Sequence, residues 1–320
     1  MTLTPKYNTS DYKSALDDIV LSIISPSVKF NILISLEIPS FIGYIFIIVY
    51  IFYNKSICSV PNNCAPLFTL IVNLFLVISY IPWVLQFNYQ GVVPIQSIIF
   101  CSIWRFTSFY FWTAGVIIMA WASFGRHILI FHDRLLVAQW RNICLHYAPP
   151  IIIATYAACF YIYTIGFYPC QNYFDFQSLI CSFLCYVFYK NIVLWEYGFH
   201  YVFSTICILI FNVGQLARVL YSQRRLRQSI NSRKHRKIIF QAASLSLLFL
   251  ITNLPCCIVN FFALASATGW IYAAVDFCNY YCIIQPPALP FVFMTTLPNI
   301  GTNINKIIHH VTNRRTAPLT

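Results

Sequence analysis

Acidic side chains are scarce in this chain: 8 Asp and Glu against 20 Lys and Arg in 320 residues. Charge of both signs amounts to 9% of the sequence, where soluble domains carry about 25%, so a water-facing globular surface is excluded for most of it. The scarcity of acids also argues against chemistry. Hydrolysis inside a bilayer needs paired acids, a Ser/His couple or a His-rich metal cluster around one cavity. The close histidine pairing, His309 and His310, falls in the tail, and no CxxC or Cys/His spacing would hold a metal. The chain is therefore not expected to be an enzyme, and no metal or cofactor is expected. Repeats are also missing, which weighs against a transporter built by duplication. Polar residues are too few for a channel's pore stripe. The net charge of +12 hints at nucleic acid, but the basic residues are not set in a soluble fold, so no nucleic-acid partner is expected.

What the chain has is apolar length: 59% hydrophobic residues, 18% aromatic, and a mean hydropathy of +0.70. Seven apolar segments, at 31–53, 65–87, 97–130, 145–168, 195–221, 237–265 and 270–296, approach or exceed the ~20 residues that span a bilayer. Several contain prolines (Pro82, Pro149, Pro150, Pro255, Pro286, Pro287, Pro290), which spanning helices tolerate when neighbours satisfy the freed carbonyls. With the N-terminus outside, the inner side collects Lys55, Arg126, Arg134, Arg141, Arg218, the cluster from Arg224 to Lys237, Lys306, Arg314 and Arg315. The outer side keeps Lys6, Lys13, Lys29, Arg105 and Lys190. Such a bias of Lys and Arg sets membrane orientation. The expected fold is an all-α membrane protein, a seven-transmembrane-helix bundle with the N-terminus outside and a short amphipathic C-terminal helix.

Three regions follow: an extracellular segment 1–29, a bundle 30–296, and an interfacial helix and cytoplasmic tail 297–320. Acidic Asp17 and Asp18 precede IVLSIIS where a cleaved signal peptide has a basic region, so the first spanning helix is expected to serve as an uncleaved anchor. Asn8 opens a sequon that glycosylation requires to be extracellular, while the sequon at Asn54 would be cytoplasmic and silent. In the tail, Ile300, Ile304, Ile307, Ile308 and Val311 recur near helical spacing against a basic face, as in helices that lie in the interface. Of 13 cysteines most lie in apolar runs, where they pack as small hydrophobes. Cys170, Cys181 and Cys185 instead cluster in a polar loop, where an extracellular disulfide is permitted.

The stretch from Cys101 to His132 organises the rest. It reads as one long helix with a thiol near one end and a guanidinium near the other, and Cys101 to Arg126 covers ~37 Å. Seven helices, an outside N-terminus, a cysteine atop the third and an arginine at its inner end resemble a rhodopsin-like G-protein-coupled receptor of divergent invertebrate type. The likeness covers about residues 30–312. Gly125-Arg126-His127 stands where the family has acid-Arg-aromatic. Phe249, Asn253 and Pro255 resemble its Phe-x-x-x-Trp-x-Pro stretch, and Leu289-Pro290-Phe291-Val292-Phe293 its Asn-Pro-x-x-Tyr.

The resemblance implies a plasma-membrane receptor for an extracellular peptide or small molecule, with a heterotrimeric G protein and the lipid bilayer as partners. Arg126, His127, Arg236 and Lys237 would face the G protein, and Phe249, Asn253, Pro255, Pro290 and Phe293 would form the activation bend. It also implies a disulfide from Cys101 to Cys181 or Cys185, with the other free to pair with Cys170. The departures are several. Gly125 replaces the restraining acid, which predicts raised basal activity. Ile78 stands where the sodium-binding aspartate belongs, Tyr44 where helix one has asparagine, and Ser204 where helix five has proline. The rival readings are a transporter or channel, or a receptor fold that no longer signals.

For the ligand, Ser108 occupies the place of the amine-binding aspartate, so a biogenic amine is not expected. Arg105 and Glu196 are charges in spanning helices that need either each other or a ligand. Trp104, Phe111, Trp112, Trp195, Tyr197, Asn260, Asn279 and Tyr280 complete an aromatic, amide-rich candidate pocket.

Overall fold

The computed structural model describes residues 25–54, 61–131, 147–182, 184–226, 233–265 and 269–296. Asn8, the expected tail helix and residues 227–232 of the basic loop lie outside the described residues. Arg236 and Lys237 lie within a described helix, but their side chains do not belong to the described set.

Helix α1 is Pro26–Tyr53, started by Ser25, whose hydroxyl caps the Val28 N–H. Helix α2 runs from Pro61–Phe75 through a π-wound stretch, Leu76–Tyr80, into Ile81–Gln90, and ends at Gly91 with φ of 72°. That left-handed cap suits glycine, which has no Cβ to clash. Helix α3 is Ile98–Phe131, and α4 is Ala148–Ile162 with a π turn at Tyr163–Phe167. Helix α5 comprises Lys190–Trp195, a π-wound Glu196–Phe203 and Ser204–Leu226. Helix α6 is Arg233–Ala265, followed by α7, Gly269–Cys282, and α8, Gln285–Thr296. Among the described residues there is no strand.

Among the described residues six helices are long and apolar enough to cross a membrane. The chain is thus a helical, multi-pass membrane protein. The seventh expected segment, 270–296, is instead two shorter helices separated by a turn at Ile283 and Ile284. Pro286 and Pro287 explain the break. Neither offers an N–H, and each disfavours helical geometry in the residue before it. The turn tightens accordingly, with Ile283 N–H bonding Tyr280 and Ile284 N–H bonding Tyr281 at i−3.

Helix α3 is the axis of the bundle. Its apolar window is 61% buried, against 22–50% for the other five spans. It packs on α2, α4 and α5, while α6 bridges α5 to α7 and α8, and α8 returns to α1. The α1 stripe Leu33, Ser40, Gly43, Tyr44, Ile47 and Tyr50 turns inward at helical spacing. At Gly43 a Cβ would stand 3.2 Å from the Pro290 Cβ, so the glycine permits close approach of α1 and α8. Pro290 has no N–H for the carbonyl of Pro286, and the Tyr44 hydroxyl donates to that carbonyl at 2.9 Å. Tyr44 thus repairs a proline defect in the neighbouring helix.

Candidate functional site

The end of α3 that carries Cys101 is fixed covalently. Cys101 bonds Cys181, and Cys170 bonds Cys185, which resolves the two pairings left open by sequence. The loop thereby pinned over α3 carries positive φ at Ile180, Cys181 and Ser182, of 56°, 55° and 73°. For a β-branched residue such as Ile180 this conformation is strained, and the bridge at Cys181 holds it. Asp175 accepts the Gln177 N–H, and Val93 N–H bonds Phe176 O, stitching the same loop to the segment after α2. At the same end of the bundle Lys29 pairs with Asp276 at 3.3 Å and lies over the Tyr280 ring, tying α1 to α7.

Beneath this roof lie the two charges singled out from sequence, Arg105 (4% exposed) and Glu196 (2%). They do not pair. The Glu196 carboxylate accepts hydrogen bonds from the Tyr161 hydroxyl at 2.8 Å and the Tyr186 hydroxyl at 3.3 Å. Tyr186 belongs to the loop before α5, and its burial, with the nearby Glu196 carboxylate, pushes the phenol well above its ordinary range. It therefore stays protonated as a donor. Tyr161 also meets Thr113, and Thr113 meets Tyr201, so α3, α4 and α5 share one hydroxyl chain around the carboxylate. This tyrosine cage was not foreseen, since its members are spread over a helix, a loop and a π-wound stretch.

Other predicted pocket residues divide. Trp104 and Ser108 are buried on α3, and Trp104 packs edge-on to Trp83. Asn260 donates to Cys256 O on its own helix, and Asn279 is exposed on α7. Neither asparagine joins Arg105 or Glu196 in a hydrogen-bonded group.

At mid-depth an amide hub links four helices. Asn253 Nδ2 donates to Gln285 Oε1 at 2.6 Å, and the Thr252 hydroxyl lies 3.1 Å from the same oxygen. Trp112 Nε1 donates to Asn253 Oδ1 at 3.3 Å, and Gln285 Nε2 reaches Asn73 Oδ1 at 3.5 Å. Asn253 is thus a bonded core residue one turn beyond buried Phe249, while Pro255 faces outward. Gln285, directly before the proline pair, was missed by sequence reading. Ile78 is 50% exposed, so the π-wound turn of α2 directs it out of the bundle while Leu76 and Val77 point in. The Cys256 and Cys282 sulfurs meet between α6 and α7.

The opposite end of α3 carries Arg126, 3% exposed. Its Nη2 donates to Ser123 Oγ and to Ser246 Oγ of α6, both at 3.1 Å, and Asn212 of α5 donates to the same Ser123 oxygen at 3.1 Å. Its Nε and Nη1 have no hydrogen-bond partner among the described residues. His127 packs against Phe211 of α5. No cluster of potential metal ligands occurs among the described residues. No protein-family model and no curated protein matches the sequence.

Proposed function

We propose that the chain is a plasma-membrane receptor of the rhodopsin-like class, with seven spans and an extracellular N-terminus, α7 and α8 together making the seventh. An extracellular ligand favours a state in which α6 swings away from α3, opening an inner cavity for a heterotrimeric G protein. No chemistry is done on the ligand. It shifts a two-state equilibrium by binding one state more tightly.

Arg126 is the observation that carries this. It is a buried cation at the inner end of the central helix, clasped to α6 through a serine hydroxyl alone, with two guanidinium nitrogens unsatisfied. A buried charge is costly when incompletely satisfied, so a partner that enters between α3 and α6 and accepts from it gains directly. The disulfide at the opposite end fixes the frame against which α6 moves. The hub of Asn253, Thr252 and Gln285 sits on the route between the two ends, where small changes in α6 and α8 are coupled through one acceptor oxygen.

The test is guanine-nucleotide exchange on purified heterotrimeric G proteins, driven by membranes holding wild type or Arg126→Ala at matched receptor density. Ligand-free exchange above control membranes that disappears in Arg126→Ala is the expected result. Exchange that is present and unchanged in Arg126→Ala overturns the role of Arg126. Absence of exchange from both across the G-protein families identifies a receptor fold that does not couple without ligand.

A further inference from the structure

Arg105 is the buried charge that the protein leaves unanswered. It lies one turn inward of the Cys101–Cys181 bridge, 4% exposed, and its Nε has no hydrogen-bond partner. Of the acids toward this end, Glu196 accepts from Tyr161 and Tyr186, Asp276 pairs with Lys29 and Asp175 accepts the Gln177 N–H, while Glu37 of α1 has an unpartnered Oε2 and makes no ion pair with Arg105 among the described residues. Arg105 makes no ion pair among the described residues. What surrounds it is neutral: the Phe109 ring, 6.0 Å from the guanidinium carbon, and the phenols of Tyr80 and Tyr186. An arginine does not shed its proton in such a place, so the charge persists and needs a counter-charge.

We propose that Arg105 anchors the carboxylate of an extracellular ligand with an apolar or aromatic body. The carboxylate class follows from the charge count. One guanidinium, with no second cation beside it among the described residues, balances a monoanion, and its planar fork meets a carboxylate through two parallel hydrogen bonds. The apolar body follows from the neighbours on the same helix turn and on α2, where Trp83, Phe100 and Trp104 form one edge-packed cluster. The roof strand from Ile180 to Ser182, in its strained left-handed conformation, is the cover that a ligand has to displace. Glu196, whose Oε1 accepts from both tyrosines, orders the cage. This deepens the receptor reading above and rests on it for the ligand's role, though not for the existence of the anion site.

The experiment uses the full chain purified into lipid nanodiscs and reads thermal unfolding, with no G protein present. Benzoate and its neutral isostere benzamide are the probes. Benzoate is expected to raise the melting temperature saturably, benzamide to leave it unmoved, and Arg105→Met to abolish the benzoate response. Without any probe, Arg105→Met is expected to melt about 2 °C or more above wild type, because it removes an uncompensated buried charge. Arg105→Lys retains the charge and is expected to bind benzoate about tenfold more weakly, having lost the paired hydrogen bonds. Equal shifts from benzoate and benzamide, no shift from benzoate, or a benzoate response that survives in Arg105→Met overturns the proposal. So does a lower melting temperature for probe-free Arg105→Met, which would mean that the arginine already has a structural partner. Because none of these readings involves coupling, loss of the anion site and failure of G-protein exchange are told apart.

Discussion

Arg105 and Arg126 stand on the same helix, one near each end, both buried and neither meeting a carboxylate, yet they are held in opposite ways. Around Arg105 the scaffold is covalent, with two disulfides and an ion pair closing the outer mouth, while the arginine itself is left without a counter-charge. Around Arg126 no covalent link occurs among the described residues, and the arginine is clasped by two hydroxyls. A fixed frame with an unanswered charge is suited to receiving a ligand. A soft clasp across two helices is suited to opening. The same residue type therefore serves two ends through the rigidity of what surrounds it.

The strongest way to break this contrast is to soften the outer end. Cys181→Ser removes the link that holds the roof to α3, and should cost on the order of 2–4 kcal/mol, read as a lower melting temperature of the purified protein. An unchanged melting temperature would show that the roof is held by packing alone. Next in size is the hub between the two ends. Gln285→Leu deletes the shared acceptor and leaves the Asn253 amide short of a partner, with an expected loss of about 1–3 kcal/mol in the same measurement.

Making the inner end more like an ordinary ion pair sharpens the contrast from the other side. Gly125→Glu places a carboxylate beside Arg126 and should lower ligand-free nucleotide exchange severalfold, since an opposite charge stabilises the buried guanidinium in the closed state. The smallest effect is expected at Gly43→Ala, whose Cβ would press on Pro290 at 3.2 Å. A loss of about 1 kcal/mol follows if the proline ring cannot yield, and it should not alter the difference between the two arginines.

The positions of the spans were legible because long apolar runs are a direct consequence of solvation by lipid. The break in the last one was not, although Pro286 and Pro287 were plain to see. Prolines are tolerated in spanning helices, so the pair at 286 and 287 did not by itself distinguish a kink from a turn. Cys181 and Cys185 are nearly equivalent in sequence, and the structure pairs Cys101 with Cys181, where the backbone from Ile180 to Ser182 is left-handed. The π-wound turn in α2 moved Ile78 outward, a one-residue shift that leaves no composition signal. Arg105, Glu196 and Arg126 were found as charges in apolar surroundings. Their partners, Tyr161, Tyr186, Ser123 and Ser246, were not, because single hydroxyls on helix faces are common and acquire meaning only through three-dimensional proximity.

The clasp at the inner end is the central claim, and Ser246→Ala tests it most directly. Ligand-free nucleotide exchange is measured for Ser246→Ala beside wild type at matched density. Losing a hydrogen bond to a charged group is worth about 1.5–3 kcal/mol, so exchange about tenfold above wild type is predicted. Exchange equal to or below wild type, with the variant folded and at full density, would contradict a clasp between Arg126 and α6.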